Sequence, residues 1–111
     1  MGDRMIDLDE STFDAFIAED DSLIQFSAKW CTPCKMMTKT IKLCNFNNLK
    51  TGKINIDASQ NIMRHYKVMS IPTVIYFKNG VEVFRAIGLK NKDKLEEFIS
   101  DSKKIIENKE I

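Results

Sequence analysis

Cys31 and Cys34 stand three apart in the stretch Trp30-Cys31-Thr32-Pro33-Cys34-Lys35. Two thiols at that spacing can bond to each other as a redox pair or supply half of a zinc ligand set. On a helix their Cα atoms lie about 5–6 Å apart, inside the roughly 4.4–6.8 Å window that a disulfide requires. A helix N-terminus makes the two sulfurs unequal. The unsatisfied N–H groups of the first turn and the positive end of the macrodipole stabilise a thiolate at Cys31, whereas Cys34, one turn on, points into the packed side. Cys31 is therefore the candidate nucleophile and Cys34 the candidate resolving thiol. A free thiol with a pKa of ~8.5 is only about 3% thiolate at pH 7, and lowering it to ~7 is worth roughly 2 kcal/mol. Pro33 lacks an N–H where that donor would be orphaned anyway, and its fixed φ stiffens the link.

Such a pair needs a strand that delivers it, a helix that carries it and a core behind both. Residues 22–28 alternate, with Ile24, Phe26 and Ala28 on one face and Leu23, Gln25 and Ser27 on the other, as expected of a strand ending at Trp30. From Cys31 to about Asn45, Cys34, Met37, Ile41 and Cys44 recur at helical spacing. Ahead of this unit, residues 4–8 read as an edge strand. A helix follows, capped by Asp9, with Leu8 and Phe13 as a hydrophobic staple and Phe13, Phe16 and Ile17 as its buried stripe. Behind it come a strand over 53–57 and a short helix over 59–66, with Ile62 and Tyr66 inward. Strands over 73–77 and 82–87 are joined at Asn79-Gly80, a strong hairpin signal. Asn91 caps a last amphipathic helix carrying Leu95, Phe98, Ile99, Ser102, Ile105 and Ile106 on one side, with fraying expected from Glu107 onward. The order βαβαβαββα predicts an α/β fold: one domain over residues 1–111 with a central mixed sheet and helices on both faces.

The 111 residues are 43% hydrophobic and 30% charged, enough to bury a core without staples, and the formal net charge is +1. That balance gives no overall field to attract nucleic acid or an acidic membrane, so neither is an expected partner. The first ten residues hold no apolar stretch, and no run approaches the ~18 residues of a membrane span. A cytoplasmic location follows as the expectation, and three cysteines in a reducing compartment point to chemistry rather than to a disulfide framework. Met1-Gly2 is followed by Ile6 where a myristoylation motif wants Ser or Thr. Cys44 reads as a small core residue and His65 as a surface one. A zinc site built from Cys31, Cys34, Cys44 and His65 is disfavoured because helical geometry carries Cys44 away from the other two.

Trp-Cys-x-Pro-Cys-Lys after an apolar strand resembles the thioredoxin family, and later landmarks repeat the resemblance in order. They are Lys53-Ile54-Asn55-Ile56-Asp57, Ile71-Pro72-Thr73, Phe77-Lys78-Asn79-Gly80 and Gly88. The resemblance implies a thioredoxin fold and a thiol-disulfide oxidoreductase that reduces protein disulfides, using no cofactor beyond the Cys31-Cys34 couple. It also implies oxidised proteins as substrates. A separate NADPH-dependent thioredoxin reductase would regenerate the pair, because the chain has no glycine-rich dinucleotide fingerprint of its own. A monomer is expected. Where base rates put only about 5–6% of such bonds in the cis form, the resemblance implies a cis Ile71-Pro72 bond beside the disulfide, with Ile71 offering backbone groups to an extended substrate. Trp30, Thr32, Pro33, Ile71, Pro72 and Gly88 are then the candidate substrate-binding residues, and Trp30, Pro33, Ile71 and Gly88 should form an apolar collar around an exposed Cys31.

Four positions depart from the family pattern. Thr32 replaces a glycine, Ser27 a tryptophan, Gln25 a buried aspartate and Lys39 a proline in the helix. In the family the buried carboxylate, near a lysine matching Lys53, is thought to help take the proton from the second cysteine. Gln25 has no titratable proton in this range, so Cys34 must lose its proton elsewhere. Lys53 should then turn toward solvent or a neighbouring acceptor. Two other functions stay open at this point: a disulfide oxidase or isomerase, and a non-catalytic binding module on the same fold.

Overall fold

The strand leading to the cysteines is buried on both faces, and the sheet is assembled around it. In the computed structural model, which describes residues 5–44 and 46–109, the chain runs β1 (Met5–Leu8), α1 (Phe13–Ile17), β2 (Asp21–Ser27), α2 (Thr32–Leu43) and β3 (Lys50–Asn55), followed by α3 (Gln60–His65), β4 (Thr73–Lys78), β5 (Val81–Ile87) and α4 (Lys92–Lys109). The five strands lie in the order β1-β3-β2-β4-β5. β3 pairs parallel with β1 and β2, whereas β4 pairs antiparallel with β2 and β5. The sheet is therefore mixed, as expected.

The alternation along β2 sorts the core into two layers. Ile24 and Phe26 pack with Phe13 and Ile17 of α1, and Ile62 and Met63 of α3, with Tyr66 just after it, close the same face. Leu23 faces the other way, among Met37 and Ile41 of α2, Cys44 at its C-terminal end, and Leu95, Phe98 and Ile99 of α4. Helices thus cover both faces, and a central strand has no solvent side on which to place polar residues.

Some boundaries differ from the sequence expectation. β3 begins at Lys50, three residues before the expected start at Lys53. Lys50-Thr51-Gly52 carries weak strand propensity on its own, but Thr51 lies between Met5 of β1 and Leu23 of β2, so pairing on both sides overrides it. Gly52 is required there for space: a Cβ would sit 2.8 Å from Leu8 Cδ1 and 3.2 Å from both Ile24 Cδ1 and Phe16 Cε2. Gly52→Ala is expected to lower stability by about 1–2 kcal/mol through overpacking, measurable by urea denaturation.

The first regular helix starts at Phe13 rather than directly after Asp9. Asp9 instead caps the turn before it, its Oδ1 accepting the N–H groups of Ser11 at 2.9 Å and Thr12 at 3.1 Å. Leu8 and Phe13 still meet in one core layer. Asn79 and Gly80 take φ values of 50° and 83°, the left-handed pair that a two-residue hairpin needs. Asn91 Oδ1 accepts the Lys94 N–H at 2.9 Å, and α4 stays helical through Lys109, beyond the expected fraying point at Glu107. Half-buried Ile105 and Ile106 lie along that last stretch. The expectations at Arg4, at Asn45 and in the tail beyond Lys109 lie outside the described residues.

Candidate functional site

Four chain segments meet at one end of the sheet. β2 runs out at Ser27, and the loop through Ala28 and Trp30 leads directly into α2. Parallel to it, β3 ends at Asn55, and the Ile56 N–H donates to the Ser27 carbonyl at 2.9 Å. Because β4 is antiparallel to β2, its start at Thr73, opposite Phe26, brings Ile71 and Pro72 to the same end. β5 ends there as well, and the Gly88 N–H donates to the Pro72 carbonyl at 2.8 Å. Loops at the carboxyl end of parallel strands, with a helix starting among them, are a common place for chemistry in α/β sheets.

Cys31 and Cys34 are joined in a disulfide with their Cα atoms 5.2 Å apart. Cys31 is the N-cap of α2 with φ −93° and ψ 103°, and Pro33 sits in the first turn. Cys31 Sγ accepts the Cys34 N–H at 3.2 Å, so an otherwise orphaned helix donor points at the first sulfur. Cys34 is fully buried and Cys31 is 5% exposed. The expectation of an openly exposed Cys31 is corrected for this oxidised state: bonded to Cys34 and packed with Ala28, Ile56 and Ile71, the residue keeps only an edge open. Cys44 lies apart from the pair in the layer between α2 and α4, where burial first and Glu96 second push its thiol pKa up.

That open edge faces a groove of about 570 Å³ lined by Trp30, Thr32, Pro33, Met69 and Ile71, among others. Trp30 is 67% exposed, which excludes a core-packing role, and its Nε1 donates to Asp57 Oδ2 at 2.8 Å, holding the ring beside the disulfide. Ile71-Pro72 is a cis peptide. Ile71 is half-buried on the groove, while Pro72 is buried behind it. Gly88 does not line this groove. It supports the Pro72 carbonyl from just past the end of β5 with φ 92°, where a side chain would be strained. Met69, 92% exposed on the groove, escaped the sequence reading because a methionine by itself reads as core.

Behind the disulfide, Gln25 is completely buried and hydrogen-bonded through both ends of its amide. Its Nε2 donates to the Cys34 carbonyl at 2.9 Å, and its Oε1 accepts the Thr38 hydroxyl at 2.8 Å. Thr38 Oγ1 also lies 3.0 Å from the Cys34 carbonyl. Thr38, whose part here has no signature in the sequence, thus completes a clamp from β2 onto the first turns of α2. Lys53, opposite Gln25 in the strand register, turns to Asp7, with Nζ 3.8 Å from Oδ1. His65 is exposed and edge-on to Tyr66 at 4.7 Å. Among the described residues no group of three or more His, Cys, Asp or Glu side chains is placed to hold a metal ion.

The comparisons agree with this geometry. The family model described as Thioredoxin matches residues 4–101. A thioredoxin from Chlamydia pneumoniae is 41% identical over 95 residues, covering 84% of this chain and 93% of the relative. One from Rickettsia felis is 39% identical over 98 residues, with the same shares covered. Among solved structures, a mutant thioredoxin from Halobacterium salinarum NRC-1 superposes with a TM-score of 0.80 at 27% identity, covering 91% of this chain and 92% of that one. With its adjacent cysteine pair already bonded at the head of α2, the chain belongs to the thioredoxin family and is a thiol-disulfide oxidoreductase, a reductase of protein disulfides.

Proposed function

We propose that Cys31 is the attacking thiol and Cys34 the resolving thiol of this reductase, and that the disulfide they share is its whole redox equipment. The observation that carries the assignment is the asymmetry of the pair: Cys31 lies on the groove at the helix N-cap, and Cys34 is fully buried one turn behind it. In the dithiol form the Cys31 thiolate attacks one sulfur of the substrate disulfide. That S–S bond breaks, a mixed disulfide forms, and the first substrate sulfur leaves as a thiolate. Cys34 then loses its proton and attacks Cys31 Sγ. The mixed disulfide breaks, the second substrate thiolate departs, and Cys31 and Cys34 are left bonded, having passed two electrons to the substrate. The released thiolates take up the protons.

Extended segments of oxidised proteins are the proposed substrates. Trp30, Thr32, Pro33 and Ile71 supply apolar contact along the groove, the Ile71 backbone offers strand-like pairing, and Pro72 keeps an N–H away from the sulfurs. A separate NADPH-dependent thioredoxin reductase would return the pair to the dithiol, and the chain would act as a monomer in the cytoplasm. Among the described residues no helix is long and apolar enough to cross a membrane. A reducing compartment would also keep the pair cycling.

Alkylation of the reduced native protein tests the assignment. Iodoacetamide near neutral pH should modify Cys31 alone, because Cys34 is sealed in the core and Cys44 combines burial with a raised thiol pKa. Mapping the label by mass spectrometry gives the answer. Comparable modification of Cys34 or Cys44 under native conditions would contradict the proposed roles.

A further inference from the structure

Along one flank of α2, beside its buried stripe, five lysines line one concave space. Lys29 from the loop after β2, Lys35, Lys39 and Lys42 from α2, and Lys53 from β3 line a cleft of about 720 Å³, with Asp7 as its single acidic residue. The whole chain carries a formal net charge of +1, so this cleft concentrates positive charge that the rest of the molecule balances elsewhere. Lys53 has Asp7 at 3.8 Å, but among the described residues Lys29, Lys35, Lys39 and Lys42 have no ion-pair partner. Lys35, Lys39 and Lys42 follow at i, i+4 and i+7 on a helix that contains no acidic residue. Like charges at that spacing repel and weaken a helix, and Lys35 also faces the positive end of the dipole. The row therefore costs stability in the free protein and calls for a compensating negative charge.

We infer that this cleft is a binding site for a small phosphate-bearing anion. The lysines line one volume from a loop, a helix and a strand, which suits a compact multivalent ion that meets several of them at once. An extended acidic peptide would meet them along a line instead. Asn55 and Ser27 add hydrogen-bonding groups to the lining. Thr38, on the same lining, donates to Gln25 and lies within hydrogen-bond distance of the Cys34 carbonyl, so the bound anion lies one side chain from the thiol pair.

Tripolyphosphate is the probe, titrated into the full-length oxidised protein at low ionic strength and followed by backbone amide shifts and calorimetry. The expected result is one saturable site, with shifts concentrated on α2 and around Lys29, Lys53 and Asn55, weakening as salt is added. Lys39→Gln/Lys42→Gln should reduce the affinity at least about tenfold. The same variant should melt at or above the wild-type temperature without ligand, since it relieves the lysine row, yet lose the upward shift that tripolyphosphate gives the wild type. Lys103→Gln on α4, outside the cleft, should behave as wild type. The proposal is overturned by an absence of saturation, by shifts scattered over other lysines, by unchanged affinity in the double variant, or by a hexaglutamate peptide binding more tightly than tripolyphosphate.

Discussion

Replacing Cys31 with serine should abolish reduction of insulin disulfides, lowering the rate by at least ~1,000-fold, while Cys34→Ser should stop turnover in a different way. A serine hydroxyl at the α2 N-cap receives the same Cys34 N–H and the same dipole. It stays protonated near neutral pH, however, and does not attack a disulfide sulfur. In Cys34→Ser the Cys31 thiolate still faces the groove and still attacks, but nothing resolves the mixed disulfide. A covalent one-to-one complex with substrate should accumulate, visible on a non-reducing gel and released by dithiothreitol. Cys44→Ser should keep wild-type turnover, because Cys44 lies in the layer under α2 and takes no part in the pair. Serine is close to cysteine in volume, and far-UV circular dichroism should confirm that all three variants are folded. Retention of more than about a tenth of the activity by Cys31→Ser would remove Cys31 from the role of attacking thiol.

The second large effect is expected at Gln25. Gln25→Glu is isosteric, and a protonated glutamic acid can do what the amide does: donate to the Cys34 carbonyl and accept from Thr38. An ionised one cannot, since it would set a carboxylate oxygen against that carbonyl in a site closed to solvent. Burial and the lost donor both raise the folded-state pKa of the introduced carboxyl above its unfolded value of ~4.3. Between those two values the folded state holds a proton that the unfolded state has released. Stability relative to wild type should therefore be nearly unchanged at about pH 4 and fall as pH rises, by roughly 1.4 kcal/mol per unit, then level off above the folded pKa. A rise of two to three units gives a loss of about 3–4 kcal/mol by neutral pH.

Urea denaturation of both proteins from pH 4 to 9 measures this difference, and Gln25→Leu is the control. Leucine should lose about 1–1.5 kcal/mol from the two missing amide hydrogen bonds, with no added pH dependence, because the Thr38 hydroxyl can still donate to the Cys34 carbonyl. Once ionised, the new carboxylate beside α2 should also accept the Cys34 proton, so single-turnover release from a Cys31-linked peptide should accelerate through the same pH range. If the stability difference between Gln25→Glu and wild type does not change with pH, the glutamine does not sit in the buried, hydrogen-bonded site described above.

The order of elements, the pairing partners within the hairpin and the place of the cysteine pair at the head of a helix were legible in the sequence because each rests on local physics. Period-2 and period-3.6 patterning set β2 and α2, Asn79-Gly80 can take two left-handed residues, and a proline between two cysteines at a helix start fits the first turn. The start of β3 at Lys50 was hidden, since Thr51 and Gly52 become strand only by lying between β1 and β2. The same holds for the anchor of Trp30 on Asp57, separated by 27 positions, and for Gly88 acting on the Pro72 carbonyl from just past the end of β5. Gln25 shows the division most clearly. From sequence it was a missing carboxylate, a statement about what the residue cannot do. The tertiary structure decided what it does, because only the packing of α2 across β2 brings its amide to the Cys34 carbonyl and the Thr38 hydroxyl. Likewise, the lysines at 29, 35, 39, 42 and 53 come from a loop, a helix and a strand, and line one cleft only when these are folded against one another. Local backbone preferences and periodicity are properties of neighbouring residues. Convergence of polar groups from distant segments depends on strand order and helix placement, which no stretch of sequence carries alone.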